Sequence, residues 1–187
     1  MPPKAEPWLI FIDTNIFLDF YRSAGESVKR QMGALERHKE SIILTDQVQM
    51  EFLKNRQKVI VEATKPLSKP NHMSLPAVVG DIQPAKMMRK NIKDAEANFK
   101  KISVKIEAII QDPARNDVVY QSVARLFEAN SNTSLKTSTK HRRQIHSLAR
   151  QRFFLGYPPR KSSDTSYGDA VNWEWIIHCA SNSTKKS

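Results

Sequence analysis

Three features of this chain predict an α/β fold: a small parallel sheet flanked by helices, with a helical insertion. An apolar run, Trp8 to Ile12, leads straight into Asp13-Thr14-Asn15. A second short apolar run, Ser41-Ile-Ile-Leu-Thr45, precedes another helical segment. Further on, Ile92, Ala95, Phe99, Ile102, Ile106 and Ile109 recur at alternating spacings of three and four. Short continuous apolar runs read as strands buried on both faces, the kind found in parallel sheets. The alternating spacing reads as one apolar stripe along a helix.

In chain order, residues 8–13 form the first strand and Ile16 to Tyr21 a short helix that ends before Gly25. A second helix covers about 26–39, and the second strand is 41–45. Asp46 is an N-cap type with Gln49 three residues on, a capping-box pattern, and its helix runs to about Ala63. Residues 64–84 hold Pro66, Pro70, Pro76 and Pro84 with Asn71, Ser74 and Gly80, which predicts a long loop. The striped helix follows over about 85–111, and after Pro113 another spans about 114–129. Residues 131–140, Ser-Asn-Thr-Ser-Leu-Lys-Thr-Ser-Thr-Lys, are polar and low in complexity, the composition of a mobile linker. A basic helix over about 140–154 stops at the turn Gly156-Tyr-Pro-Pro159, and a last helix covers about 168–180. There is no internal repeat. The chain reads as one domain over 1–187, with 64–155 a mainly helical insertion.

The 187 residues suffice for one domain with a real core, and a mean hydropathy of −0.53 predicts a soluble protein. No stretch approaches the ~20 apolar residues of a membrane span. Residues 1–7 lack the apolar core of a secretory signal. The lone Cys179 forms no internal disulfide, and no Cys/His zinc pattern exists, so a reducing, cytoplasmic setting is expected. Lys and Arg number 30 against 19 Asp and Glu, a net charge of +11 that favours an anionic partner, nucleic acid first. No Walker-A lysine loop is present, which leaves NTP hydrolysis without support.

Four acids are candidates for chemistry. Asp13 sits at the end of the first strand, where open α/β sheets place ligands; it also fits an N-cap of a helix near Asn15. Glu51 borders the face of its helix that holds Val48, Phe52 and Val59, so it can lean toward the sheet; the alternative is an exposed acid beside Lys54 or Asn55. Asp169 shares one predicted helical face with Trp173, Ile176 and Ala180, and an acid on a buried stripe must be paired, metal-bound or capping. The spacing Ser166-x-x-Asp169 also fits a capping box. Asp164 lies in the preceding loop, where an Asx turn is the plain reading.

Residues 8–20, 41–55 and 156–180, in that order, resemble the PIN-domain nucleases. The third segment is the most specific, with its Gly-Tyr…Asp loop before a Gly-Asp-x-x-x-Trp helix. The resemblance implies a three-layer fold and a divalent-metal-dependent endonuclease, with RNA favoured over DNA. It gives catalytic roles to Asp13, Glu51 and Asp169, and metal ligation to these three with Asp164. Mg²⁺ or Mn²⁺ is the implied cofactor, since both prefer carboxylate and water oxygens. Thr14 and Asn15 are supporting residues, either at the metal site or as local caps.

Arg142, Arg143, Arg150, Arg152, Arg160 and Lys161 are the candidate phosphate-holding residues, though the four arginines of the basic helix do not all face one way. His141 and His146 read as surface residues, and His178 as packing on or beside the last helix. PIN sequences usually continue past the Asp169-type helix into another strand and a further Asp, whereas this chain stops at Ser187. A truncated domain, weak metal occupancy, and a sheet edge covered by a second copy or a partner protein are therefore expected. The rival from another class is a non-catalytic PIN-like module that binds nucleic acid or a partner. A haloacid-dehalogenase-type phosphatase is a weaker rival, because its motif wants a second acid where Asn15 stands.

Overall fold

The computed structural model describes residues 8–23, 25–71, 74–129, 132–161, 163 and 165–183. Strands β1 (Ile10–Phe11), β2 (Ile42–Thr45) and β3 (Ser134–Leu135) make a parallel sheet in the order β1-β2-β3. Ile10 pairs with Ile42, Phe11 with Ile43, Leu44 with Ser134 and Thr45 with Leu135. Helices α1 (Thr14–Asp19) and α2 (Gly25–Arg37) connect β1 to β2. From β2 the chain runs through α3 (Asp46–Thr64), α4 (Ala77–Gly80), α5 (Gln83–Gln111), α6 (Pro113–Asn116) and α7 (Val118–Glu128) to β3. Helices α8 (Arg142–Phe154) and α9 (Gly168–Ser183) follow. None of the described helices is long and apolar enough to cross a membrane.

β2 is buried along its whole length and alternates between two cores. Ile42 and Leu44 enter one core with Phe17, Phe52, Val123 and Phe127; Ile43 enters the other with Leu135, Ile145, Val171 and Trp175. The sheet thus separates α1, α2, α3 and α7 from α8 and α9, the three-layer arrangement expected. β1 is shorter and wetter than its apolar run suggests. Trp8 and Ile10 are exposed and Leu9 and Phe11 half-buried, and only Ile12 of the run is fully buried. The reason is position: β1 pairs with β2 alone, at one side of the sheet.

The segment 131–140 is not simply a linker. Its described part supplies β3, with Ser134 and Leu135 both buried. Only Leu135 brings an apolar side chain, and the hydroxyl residues hold the segment by hydrogen bonds. The Leu44 amide donates to the Thr133 carbonyl (3.2 Å), the Thr133 hydroxyl to Ile42 O (2.7 Å) and the Trp175 indole to Thr133 O (2.8 Å). Lys136 Nζ donates to the carbonyls of Glu128 and Ala129, covering the C-terminal end of α7. The mainly helical segment 64–155 therefore also contributes a strand. The proline-rich loop likewise holds a short helix, α4, and α5 begins two residues before the expected Ala85.

One buried polar network ties this segment to the body. Arg56 on α3 pairs with Asp117, the N-cap of α7, at 2.7 Å, and both side chains are more than nine-tenths buried. Tyr21 donates to the same carboxylate oxygen (2.7 Å) and accepts from Arg56 Nε (3.1 Å). Arg56 also donates to the Ile109 carbonyl near the end of α5. Burial and the neighbouring carboxylate push the Tyr21 hydroxyl well above its ordinary pKa, so it stays a proton donor. Removing one partner of such a pair strands a buried charge, which costs about 3–5 kcal/mol. Arg56→Met should lower the urea midpoint by that equivalent, whereas Arg56→Met combined with Asp117→Leu should recover most of it. Equal losses in the single and double variants would show that the pair is not coupled.

Candidate active site

The site is built at the junction of β2 and α3. Thr45 is fully buried, and its hydroxyl accepts from the Val48 amide (3.1 Å) and donates to Asn172 Oδ1 of α9 (2.6 Å). Thr45, not Asp46, is therefore the N-cap, and Gln49 is exposed. Asp46 is turned aside by Arg142 of α8, whose Nε donates to it at 2.8 Å. Starting the helix at the strand's carboxyl end places Gln47 and Glu51 in its first two turns, four residues apart on one side.

Glu51 is half-buried rather than an exposed partner of Lys54. One carboxylate oxygen accepts from the Thr14 hydroxyl at 3.0 Å and the other from Gln47 Nε2 at 2.6 Å. Asn55 binds the Glu51 backbone carbonyl instead (3.0 Å). Thr14 is buried at the start of α1, directly after Asp13. Asp13 occupies the N-cap position of α1 in extended conformation, yet its side chain makes no cap bond. Its carboxylate is exposed and accepts from Asn15 Nδ2 at a long 3.4 Å. The capping alternative for Asp13 thus fails on geometry, and its carboxylate faces solvent at the strand's carboxyl end.

Gln47 also meets the start of α9. A Cβ built on Gly168 would lie 2.4 Å from Gln47 Nε2 and 2.8 Å from its Cδ. A side chain at 168 would therefore force the Gln47 amide to shift. Asp169 follows in the first turn of α9. The predicted buried stripe of this helix is corrected: Asp169, Trp173 and Ala180 are exposed and Ile176 is only half-buried. The inner side carries Ala170, Val171, Asn172, Glu174, Trp175 and Cys179. α9 is wedged between β2 and α3 on one side and α8 on another, so its buried arc is wide and includes polar positions. Burial pushes the Cys179 thiol up to about 12. Asp164 lies outside the described residues. Among the described residues, no group of three His, Cys, Asp or Glu side chains is placed to hold a metal ion.

The basic candidates divide by what they touch. Arg152 pairs with buried Glu174 at 2.5 Å and donates to Pro158 O, and Arg160 donates to Phe153 O with its guanidinium 4.4 Å from that ring's centre. These two hold the turn after α8, where Gly156 takes φ +75; the Arg152 charge is paired, while Arg160 is exposed. Arg142 is committed to Asp46. Arg143, Arg150 and Lys161 are exposed, and Arg150 lies 5.5 Å from the Tyr167 ring centre. His146 is half-buried, not a free surface residue; burial and then Arg142 hold its pKa below the ordinary range. His178 stacks on Trp175 (4.9 Å) and His141 packs beside it. Sequence reasoning missed Gln47 and Asn172. Gln47 has a visible signal, its position four residues before Glu51; Asn172 has none without the fold. Gly168→Ala should lower the thermal midpoint by several degrees, and adding Gln47→Ala should restore part of it. No drop in the single variant would mean that Gln47 moves aside freely.

A family model described as a PIN domain matches residues 10–187. No curated protein and no solved structure matches the chain. The family match covers nearly the whole chain, including the segment 64–155, and the three-strand parallel sheet between helical layers agrees with it. The chain belongs to the PIN-domain family.

Proposed function

We propose that this PIN domain is a divalent-metal-dependent endonuclease that cleaves RNA in preference to DNA. PIN domains are typically nucleases, which supports hydrolysis of phosphodiester bonds. The observation that carries the reading is the chain of contacts Thr14–Glu51–Gln47–Gly168. It draws the carboxyl ends of β1 and β2 and the start of α9 together, and Asp13, Glu51 and Asp169 sit on those three ends.

The donor set suits Mg²⁺ or Mn²⁺. Both prefer hard oxygen ligands, and Mg²⁺ is commonly bound by only one or two carboxylates with water completing its shell. Asp13 and Glu51 would hold the ion, with Asp169 and Asp164 as the further acids. When bound, such an ion acidifies a water and neutralises charge on the phosphoryl group. The chain's own residues do the positioning. Thr14 and Gln47 each donate to one oxygen of Glu51, fixing the carboxylate plane while leaving each oxygen a second lone pair. Exposed Arg143 and Arg150 would hold phosphates of the substrate. The preference for RNA rests on the resemblance to endoribonucleases.

A non-catalytic nucleic-acid-binding module is the second reading. Both oxygens of Glu51 already have protein donors, and no acidic trio stands among the described residues. Cleavage of a labelled single-stranded RNA with Mn²⁺ or Mg²⁺ separates the two. The nuclease reading expects cleavage that stops in chelator and falls at least about 100-fold in Asp13→Asn, with an unchanged thermal midpoint. RNA binding without cleavage, or cleavage that persists in Asp13→Asn, would overturn it.

A further inference from the structure

The longest helix carries the feature that the carboxylate site leaves unexplained. α5 spans Gln83–Gln111, yet Ala85 is its only buried residue. At 100° per residue, Lys86, Lys90, Lys93, Lys100 and Lys101 fall within about 60° either side of one line along it. All five are exposed, and among the described residues none of them has an ion pair or hydrogen bond. The acids Asp94 and Glu96 lie about 80° off that line, on its flanks. Ile92, Ala95, Phe99, Ile102 and Ile106 run along the opposite side of the helix. The C-terminal end of that opposite side is turned to the body of the protein, where Ile106 and Ile109 line a cleft with Phe20 and Ile60; Ile102 is exposed, and Lys69 of the preceding loop reaches Glu96 at 3.9 Å.

We propose that the outward face of α5 is a second nucleic-acid-binding surface that tracks the phosphate backbone of the substrate away from the carboxylate site. Five like charges on one side of a helix repel each other; Asp94 and Glu96 stand four residues from Lys90 and Lys100, but among the described residues neither forms an ion pair with a lysine of this face. From Lys86 to Lys101 the helix rises about 22 Å, and one strand of a duplex presents a phosphate about every 3.4 Å along its axis. The ridge therefore faces roughly six phosphates with five ammonium groups, enough for a contact at nearly every one. Lysine suits this task because a mobile ammonium needs no fixed partner geometry. An anionic membrane is the other polyanion such a helix might meet. A helix lying on a membrane inserts its apolar side, and here the C-terminal part of that side, Ile106 and Ile109, is taken up by a cleft in the protein.

The surface is a binding proposal and does not depend on the nuclease reading, so it is tested in the Asp13→Asn background, where cleavage plays no part. The probe is a 30-nucleotide single-stranded RNA, with affinity measured across a series of salt concentrations. Replacing Lys86, Lys90, Lys93, Lys100 and Lys101 together by Gln should reduce the slope of log K against log salt by about 3 and weaken binding at least about tenfold at low salt. The five-fold Lys→Arg variant should keep both slope and affinity. In the protein with Asp13 intact, cleavage of a hexanucleotide, too short to reach both places, should be unchanged by the Gln substitutions. An unchanged slope in a Gln variant with an unchanged thermal midpoint would overturn the proposal. So would binding to vesicles of phosphatidylserine that the Gln substitutions abolish while RNA affinity stays the same. Loss of hexanucleotide cleavage in Asp13→Asn concerns the carboxylates alone, so the two readings fail separately.

Discussion

The structure depends most on one hydroxyl, that of Thr45. It ends the central strand, pairs in register with Leu135 of β3, caps α3 and reaches α9 through Asn172. A buried hydroxyl without partners is costly, and this one satisfies its donor and an acceptor lone pair with groups from two helices. Fixing these at one point sets where α3 begins. Everything that follows in the site, Asp46 toward α8, Gln47 toward α9 and Glu51 toward α1, is a consequence of that starting phase. A helix begun one residue later would rotate each of those side chains by 100°.

A second constraint works at the far end of α3. The Arg56–Asp117 pair is buried and, with half-buried Tyr21, joins the turn after α1, α3, the end of α5 and the start of α7. Taking such charges out of water is expensive, and the network repays this only because each group finds several partners. Its effect is one of placement. It fixes where the long segment between β2 and β3 leaves and re-enters the body, so that β3 can arrive beside β2. The helical segment and the third strand are coupled through it, which explains how a strand with a single apolar side chain holds its register.

Much of this was legible in the residues, and the failures have physical causes. The order of elements, the parallel sheet, the buried second strand and the two positions of Asp13 and Glu51 follow from apolar runs and from the rule that ligands gather at strand carboxyl ends. The third strand was hidden because Thr133 and Ser134 are held by hydrogen bonds, for which periodicity carries no signal. The face of α9 was misjudged because Trp173 and Ile176 suggest a stripe, whereas the helix is packed from two directions and buries Asn172 and Glu174 in paired form. The N-cap was displaced by one residue because Thr45 and Asp46 are both capping types, and only the neighbouring Arg142 decides between them.

Net charge is the coarsest of the sequence signals, and the structure shows why it cannot be read residue by residue. The run from Arg142 to Lys161 looks like the obvious basic surface. Two of its arginines are held in ion pairs: Arg142 neutralises Asp46 and Arg152 neutralises Glu174, while exposed Arg160 closes a turn. An arginine in such a pair adds to the formal charge of the segment but little to the field outside it, because its partner cancels it at close range. Lysines on the outward face of α5 form no ion pair among the described residues, so their charge stays in the field that a distant polyanion would feel. The excess of +11 is therefore not confined to the arginine-rich segment: two of its arginines are held in ion pairs, and the lysine-rich helix carries five exposed ammonium groups.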